Sequence, residues 1–165
     1  MKLPMPADDA APKRFQRVGA LSNTHAGRDF QDAAHLFLSR LGLVLEREFP
    51  VAVGHAFKKL HRFDLGSDDP DVLVECKSYT WTAGGNSPSA KIRGLNEAML
   101  LFSVAPPHYR KLLVMLRHLR REESLGTNWL RNHGHLVPPG VEIWELDPVS
   151  EEGICLLGGG GLAAR

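Results

Sequence analysis

Apolar residues recur along this chain with more than one period. From Phe30 they fall at Phe30, Ala33, Ala34, Phe37, Leu38 and Leu41, the spacing of one buried helix face. Asn23 or Thr24 stands where a cap would start that helix, and Gly42 where one would stop it. The stretches 43–53 and 61–65 then read as strands. Residues 71–79 make a third, whose centre, Val72-Leu73-Val74, is a β-branched apolar run bounded by turn residues. Gly66-Ser-Asp-Asp-Pro70 supplies the turn chemistry between the second and third strands.

A second helix is predicted from Ser87, an N-cap with Pro88 at the first helical position, along the face Ile92, Leu95, Met99 and Phe102, ending near Pro106-Pro107. Residues 111–116 read as a buried fourth strand, 125–132 as a short helix and 141–146 as a fifth strand. Trp129 and Trp144 are expected to pack between these last two elements. The order α-β-β-β-α-β-α-β predicts an α/β layer architecture with a mixed sheet of about five strands flanked by helices. Residues 1–20 and the Gly-rich 158–165 are expected to be flexible, leaving 21–157 as a single domain with no internal repeat.

Composition supports a globular reading. With 165 residues, 43% of them hydrophobic, one core can bury enough surface to fold without disulfides or a structural metal. Cys76 and Cys155 make no disulfide framework, and Cys76 lies inside a predicted core strand, which suits a reducing cytoplasm. No basic-then-apolar leader and no long apolar run suggest secretion or a membrane, so a soluble intracellular protein is expected. Net charge is only +1. Arg110, Lys111, Arg117, Arg120 and Arg121 occur in a stretch without acidic residues, and Lys58, Lys59 and Arg62 form a second basic group. Phosphate contacts and ordinary solvated charge explain these groups equally well.

The chemistry concentrates around the third strand. If the second and third strands pair as a hairpin about Asp69-Pro70, residues whose numbers sum to 139 lie opposite one another, which sets Asp64 against Glu75. Opposed residues have Cβ atoms about 5 Å apart, within reach of one divalent cation. Glu75 and Lys77, two residues apart on a strand, share a face. Two carboxylates so close repel unless a cation neutralises them or one is protonated. An oxygen-only donor set favours Mg²⁺, with Mn²⁺ as substitute, over zinc. Such a metal suits phosphodiester hydrolysis, where it polarises a phosphoryl oxygen and activates water, and a nearby lysine offsets developing charge.

Asp64, an eleven-residue step and Glu75-Cys76-Lys77 on an apolar strand resemble the motif of the PD-(D/E)XK nuclease superfamily, which has a restriction-endonuclease-like core. The similarity runs from about Gly27 to Leu116 and includes the order of the elements. It implies that Asp64, Glu75 and the main-chain carbonyl of Cys76 hold Mg²⁺ and that Lys77 assists the attacking water. Many members place a glutamate on the first helix after a Gly-x-x-Phe pattern; here Gly27-Arg-Asp-Phe30 is followed by Gln31, and Asp32 next to it points about 100° away. The residue before Asp64 is Phe63 where the superfamily often has proline. The expected activity is that of an Mg²⁺-dependent endonuclease acting on DNA, with a homodimer needed to cut both strands. The alternative is a catalytically weak or inactive nuclease-fold module that binds nucleic acid or partner proteins in a defence or repair complex.

Other readings of the same residues are weaker. Asp64 and Glu75 stand at positions one and twelve of a calcium loop, but position three is Gly66 and position six is Asp69, where glycine is required. Eight histidines occur without any Cys-x-x-Cys or His-x-x-x-His spacing, so zinc is not indicated. His25, placed before the first helix, is read as a capping-turn residue within reach of a phosphate. Tyr79 could stack on a base or close the core, packing is favoured for Trp81, and Asn86 is open. Lys91 starts the second helix where a phosphate could be met.

Overall fold

The computed structural model describes residues 20–158. In chain order its elements are α1 (Ala20–Arg40), β1 (Glu46–Val53), β2 (Lys59–Asp68), β3 (Asp71–Lys77), α2 (Ser89–Val104), β4 (Arg110–Leu116), β5 (Leu119–Arg120), β6 (Glu123–Ser124), α3 (Leu125–His133), β7 (Val141–Asp147) and β8 (Glu152–Leu157), with one 3₁₀ turn at Gly134–Leu136. Six strands form a sheet in the order β1-β2-β3-β4-β7-β8, and β5 and β6 form a separate pair. The pairs β3–β4 and β4–β7 are parallel, and the outer pairs are antiparallel. The protein is therefore α/β with a mixed sheet. No helix among the described residues is long and apolar enough to cross a membrane.

The main sheet exceeds the expected five strands because of β8. None of its residues is fully buried, but Leu156 and Cys155 pack against the two cores, and its short apolar run Ile154-Cys155-Leu156-Leu157 adjoins the Gly-rich end. The short β5–β6 pair was likewise not expected. Helix α1 begins at Ala20, ahead of Asn23 and Thr24, so neither is its cap, and His25 lies within the helix. Its end is as predicted, the chain turning away at Gly42 with φ +87°, a conformation that costs glycine little. Pro88 occupies the cap position of α2 with no side-chain cap; Ser87 does not cap it, and Lys91 and Ile92 donate their N–H groups to Pro88 O at 2.8 and 3.0 Å. The flexible ends expected at 1–20 and 158–165 lie outside the described residues, apart from Ala20 and Gly158.

Two cores cover the two faces of the sheet. On one, Leu65, Val72, Val74, Leu112, Val114 and Trp144 pack with Phe30, Ala34, Phe37 and Leu38 of α1. On the other, Phe63, Leu73, Leu113, Met115 and Ile143 pack with Leu95, Met99 and Phe102 of α2 and with Trp129 of α3. Trp129 and Trp144 thus belong to opposite faces and do not pack together, because α3 sits on the α2 side of the sheet. The central strands are buried on both faces, which explains their unbroken apolar runs.

Phe63 and Leu65 are two residues apart yet serve opposite cores. A straight strand would place them on one face. The chain at β1 changes face at the same level, with Leu45, just before the strand, in the α1 core and Phe49 in the α2 core. Between these switches lie Glu48 and Asp64, which drop out of the β1–β2 register between Arg47↔Leu65 and Phe49↔Phe63. Glu48 has φ +52°. This left-handed residue bends the β1–β2 ribbon as a bulge would, and the far half of the hairpin curls over α2, stacking Phe63 on Phe102.

Candidate metal and catalytic site

The bend decides where Asp64 points. β2 and β3 keep the expected register from Asp68↔Asp71 to Leu65↔Val74, where their pairing ends. Asp64 is therefore not a laddered partner of Glu75, a correction to the straight-hairpin expectation. Its Oδ2 instead accepts the N–H of Cys76 at 2.7 Å, supplying the acceptor that the interrupted ladder no longer offers. From α1, Gln31 Nε2 donates to Asp64 Oδ1, also at 2.7 Å. One carboxylate is thus fixed by two neutral donors from two different elements.

Glu75 and Lys77 lie on the other side of β3, the alternation from Leu73 placing both toward α2. Lys77 Nζ donates to Glu75 Oε2 at 2.8 Å, and His61 Nε2 lies 3.1 Å from Glu75 Oε1. Glu75 is only 4% exposed. The residues expected together thus form two hydrogen-bonded groups at the carboxyl end of β3, Gln31 with Asp64 and the Cys76 N–H, and Lys77 with Glu75. His61 joins them unforeseen: a straight register sets it opposite Ser78, so nothing in the spacing distinguished it.

Electrostatics at the cluster is out of balance. Burial and then the nearby Glu75 charge push the Asp64 pKa up to about 6, against the Cys76 N–H and Lys77, which pull it down. Burial draws the Lys77 ammonium down, but the Glu75 charge and hydrogen bond, with Asp64, outweigh it and leave its pKa above the ordinary value. Lys77 stays protonated at neutral pH. The Cys76 thiol is pushed well up by burial first and by Asp64 and Glu75 second, so it remains a neutral core side chain. Only the main chain of Cys76 is available to the site.

Among the described residues no group of three or more His, Cys, Asp and Glu side chains is disposed to hold a metal ion. The set expected from the sequence is smaller than that: two carboxylates and one main-chain carbonyl. That set suits Mg²⁺, which takes few protein oxygens and keeps several waters. Burial first and the Glu75 charge second lift Asp64, and a divalent cation would relieve the second of these. Comparison with protein-family models, curated proteins and solved structures finds no match to this chain.

The remaining candidates divide. Asp32 turns away and pairs with Arg47 at 2.5 Å. His25 is exposed on α1. Trp81 packs, as favoured from the sequence: it is 7% exposed, its indole N–H donates to His118 O, and Arg120 covers its ring. Asn86 closes a turn with Thr82 through its main chain. Lys91 lies over the Tyr79 ring, 5.8 Å from its centroid. The basic run does not form one open surface, because Arg110 binds Glu142 and Lys111 reaches Ala105 O.

Proposed function

We propose that this protein is an Mg²⁺-dependent nuclease of the PD-(D/E)XK kind, cleaving phosphodiester bonds in DNA on a restriction-endonuclease-like core. The observation that carries the reading is the meeting of two hydrogen-bonded groups at the end of β3, Gln31 of α1 with Asp64 of β2 and Lys77 with Glu75 of β3, close enough for the Glu75 charge to act on Asp64. Asp64, Glu75 and the Cys76 carbonyl would hold one divalent cation, which when bound supplies Lewis-acid polarisation of a phosphoryl oxygen. Lys77 orients the attacking water and offsets charge developing on the phosphate. Gln31 fixes the Asp64 carboxylate, and His61 steadies Glu75 from the opposite side of Lys77. Cutting both strands of a duplex calls for two copies of so small a domain.

The test is nicking of supercoiled plasmid with Mg²⁺ or Mn²⁺. Wild type should nick, while Asp64→Ala and Lys77→Ala should not; equal activity in all three removes the assignment. A second reading, a nuclease-fold module that binds nucleic acid or partners without cutting, is favoured by one observation: both carboxylates already have protein partners, Gln31 for Asp64 and Lys77 with His61 for Glu75. Calorimetric titration of Mn²⁺ into wild type and Glu75→Ala separates the two. The binding-module reading expects no metal site for Glu75→Ala to abolish.

A further inference from the structure

After Lys77 the chain leaves the sheet, and Ser78, Tyr79 and Thr80 line a cleft of about 540 Å³ whose other walls include Asp29 and Phe30 of α1, Lys91 of α2 and Leu116 at the end of β4. We propose that this cleft is a nucleotide subsite that receives one unpaired base, with its phosphodiester directed toward Lys77. The proposal deepens the nuclease reading and rests on it.

Three features of the cleft support the assignment. Its place comes first: it lies outside the carboxyl ends of β3 and β4, the side on which open α/β sheets bind ligands. The chain ties it to the catalytic cluster at two points, since Phe30 precedes Gln31 and Ser78 follows Lys77. A nucleotide lodged here is held by the segments that position the reacting groups.

The second feature is the lining. Phe30, Tyr79 and Leu116 give apolar walls and Asp29, Ser78, Thr80 and Lys91 a few polar groups, the mixture that small-ligand pockets use. The Tyr79 hydroxyl packs so closely on α2 that a Cβ at Gly94 would lie 2.3 Å from it; a side chain there would displace the tyrosine. The ring is thus fixed, with the Lys91 ammonium over one of its faces. An aromatic ring next to a cation offers stacking to a base and attraction to its phosphate. Asp29 points away from a bare phosphate as the ligand and toward a base, because an ionised carboxylate only accepts hydrogen bonds and an exocyclic amino group, such as N4 of cytosine, donates them.

Size is the third. The cleft has the volume of a pocket for a single small organic ligand. A base must leave its stack to enter such a pocket. The substrate class that follows is single-stranded or flapped DNA rather than intact duplex.

The experiment uses the full chain in EDTA, so that nothing is cut, and oligonucleotides carrying a single 2-aminopurine. Single strands and flaps should bind with quenching of the fluorophore, and blunt duplex at least tenfold more weakly. Tyr79→Leu should weaken single-strand binding about tenfold, in line with the loss of one stacking contact, while Tyr79→Phe keeps it. Lys91→Ala, an exposed change that spares the core, should lower the slope of log affinity against log salt by about 0.7, one phosphate contact on a single strand. Asp29→Asn should narrow any preference for dC over dT. Equal binding of duplex and single strand overturns the proposal, as does wild-type behaviour of both Tyr79→Leu and Lys91→Ala. Parallel Mn²⁺ calorimetry keeps the two readings apart. A Glu75-dependent Mn²⁺ site without base quenching removes the subsite alone; base quenching without an Mn²⁺ site leaves the cleft standing and removes the nuclease reading.

Discussion

Two carboxylates within one sheet, Glu142 buried and Asp64 part-buried, have opposite electrostatic fates. Glu142 on β7 accepts two hydrogen bonds from Arg110, at 2.6 and 3.0 Å, and a third from the Trp144 indole at 3.0 Å. Burial works to raise its pKa, but Arg110 and Trp144 outweigh burial and hold it below the ordinary value. Asp64 on β2 also accepts short hydrogen bonds, yet both donors are neutral and its charged neighbour Glu75 has the same sign. Its pKa goes up to about 6. A carboxylate matched by a guanidinium is finished as structure, whereas one matched only by dipoles beside a second carboxylate is poised to take a cation or a proton.

The comparison can be broken at either end. The largest effect belongs to the functional one: Lys77→Ala should reduce metal-dependent nicking on the order of 10³-fold, equivalent to about 4 kcal/mol of barrier, assayed below the variant's own melting temperature because Glu75 also loses its counter-charge. At the structural end, Arg110→Ala strands Glu142 without its counter-charge and should cost about 3 kcal/mol of stability in urea titration. An Asp64-like tolerance at that position would erase the distinction.

Asp64→Asn should do the reverse and stabilise the metal-free protein. A folded pKa of about 6 against an unfolded value near 4 means that the native state holds this proton more tightly. The stability it contributes is present below pH 4 and lost as pH rises through 6. The variant should therefore gain about 2 to 3 kcal/mol over wild type at pH 7.5 and almost nothing at pH 4. Taking the difference between the two proteins cancels the other carboxylates. Asparagine can keep the Cys76 N–H on its oxygen and donate to a flipped Gln31, so the local hydrogen bonds survive.

The smallest effect is ligand linkage. Mn²⁺ at ten times its dissociation constant should raise wild-type stability by about 1.4 kcal/mol, less at pH 5.5, where protons compete for Asp64. Glu75→Ala should show no such gain. A metal response that persists in Glu75→Ala would place the cation elsewhere.

Much of this was legible locally. The six apolar positions from Phe30 to Leu41 announced α1, and the runs at 72–74 and 112–115 announced strands buried on both faces, because helix and strand periods are set by neighbours in sequence. The Asp69-Pro70 turn set the β2–β3 register correctly for its first four pairs. β8 went unpredicted although Ile154-Cys155-Leu156-Leu157 is an apolar run, because that run is short and adjoins the Gly-rich stretch expected to be flexible. His61 was hidden for another reason: the bend at Glu48 and Asp64 carries it to Glu75, and no residue type at Glu48 signals a left-handed backbone.

Sequence by itself determined which residues are available: an apolar pattern for an α/β chain, and Asp64, Glu75 and Lys77 at a spacing that one hairpin can gather. Tertiary structure alone decided how they meet. Whether a carboxylate sits beside arginine or beside another carboxylate depends on contacts across the fold, such as Arg110 with Glu142 or Gln31 with Asp64, each joining residues more than thirty positions apart. Electrostatic energy depends on distance and burial rather than on order in the chain.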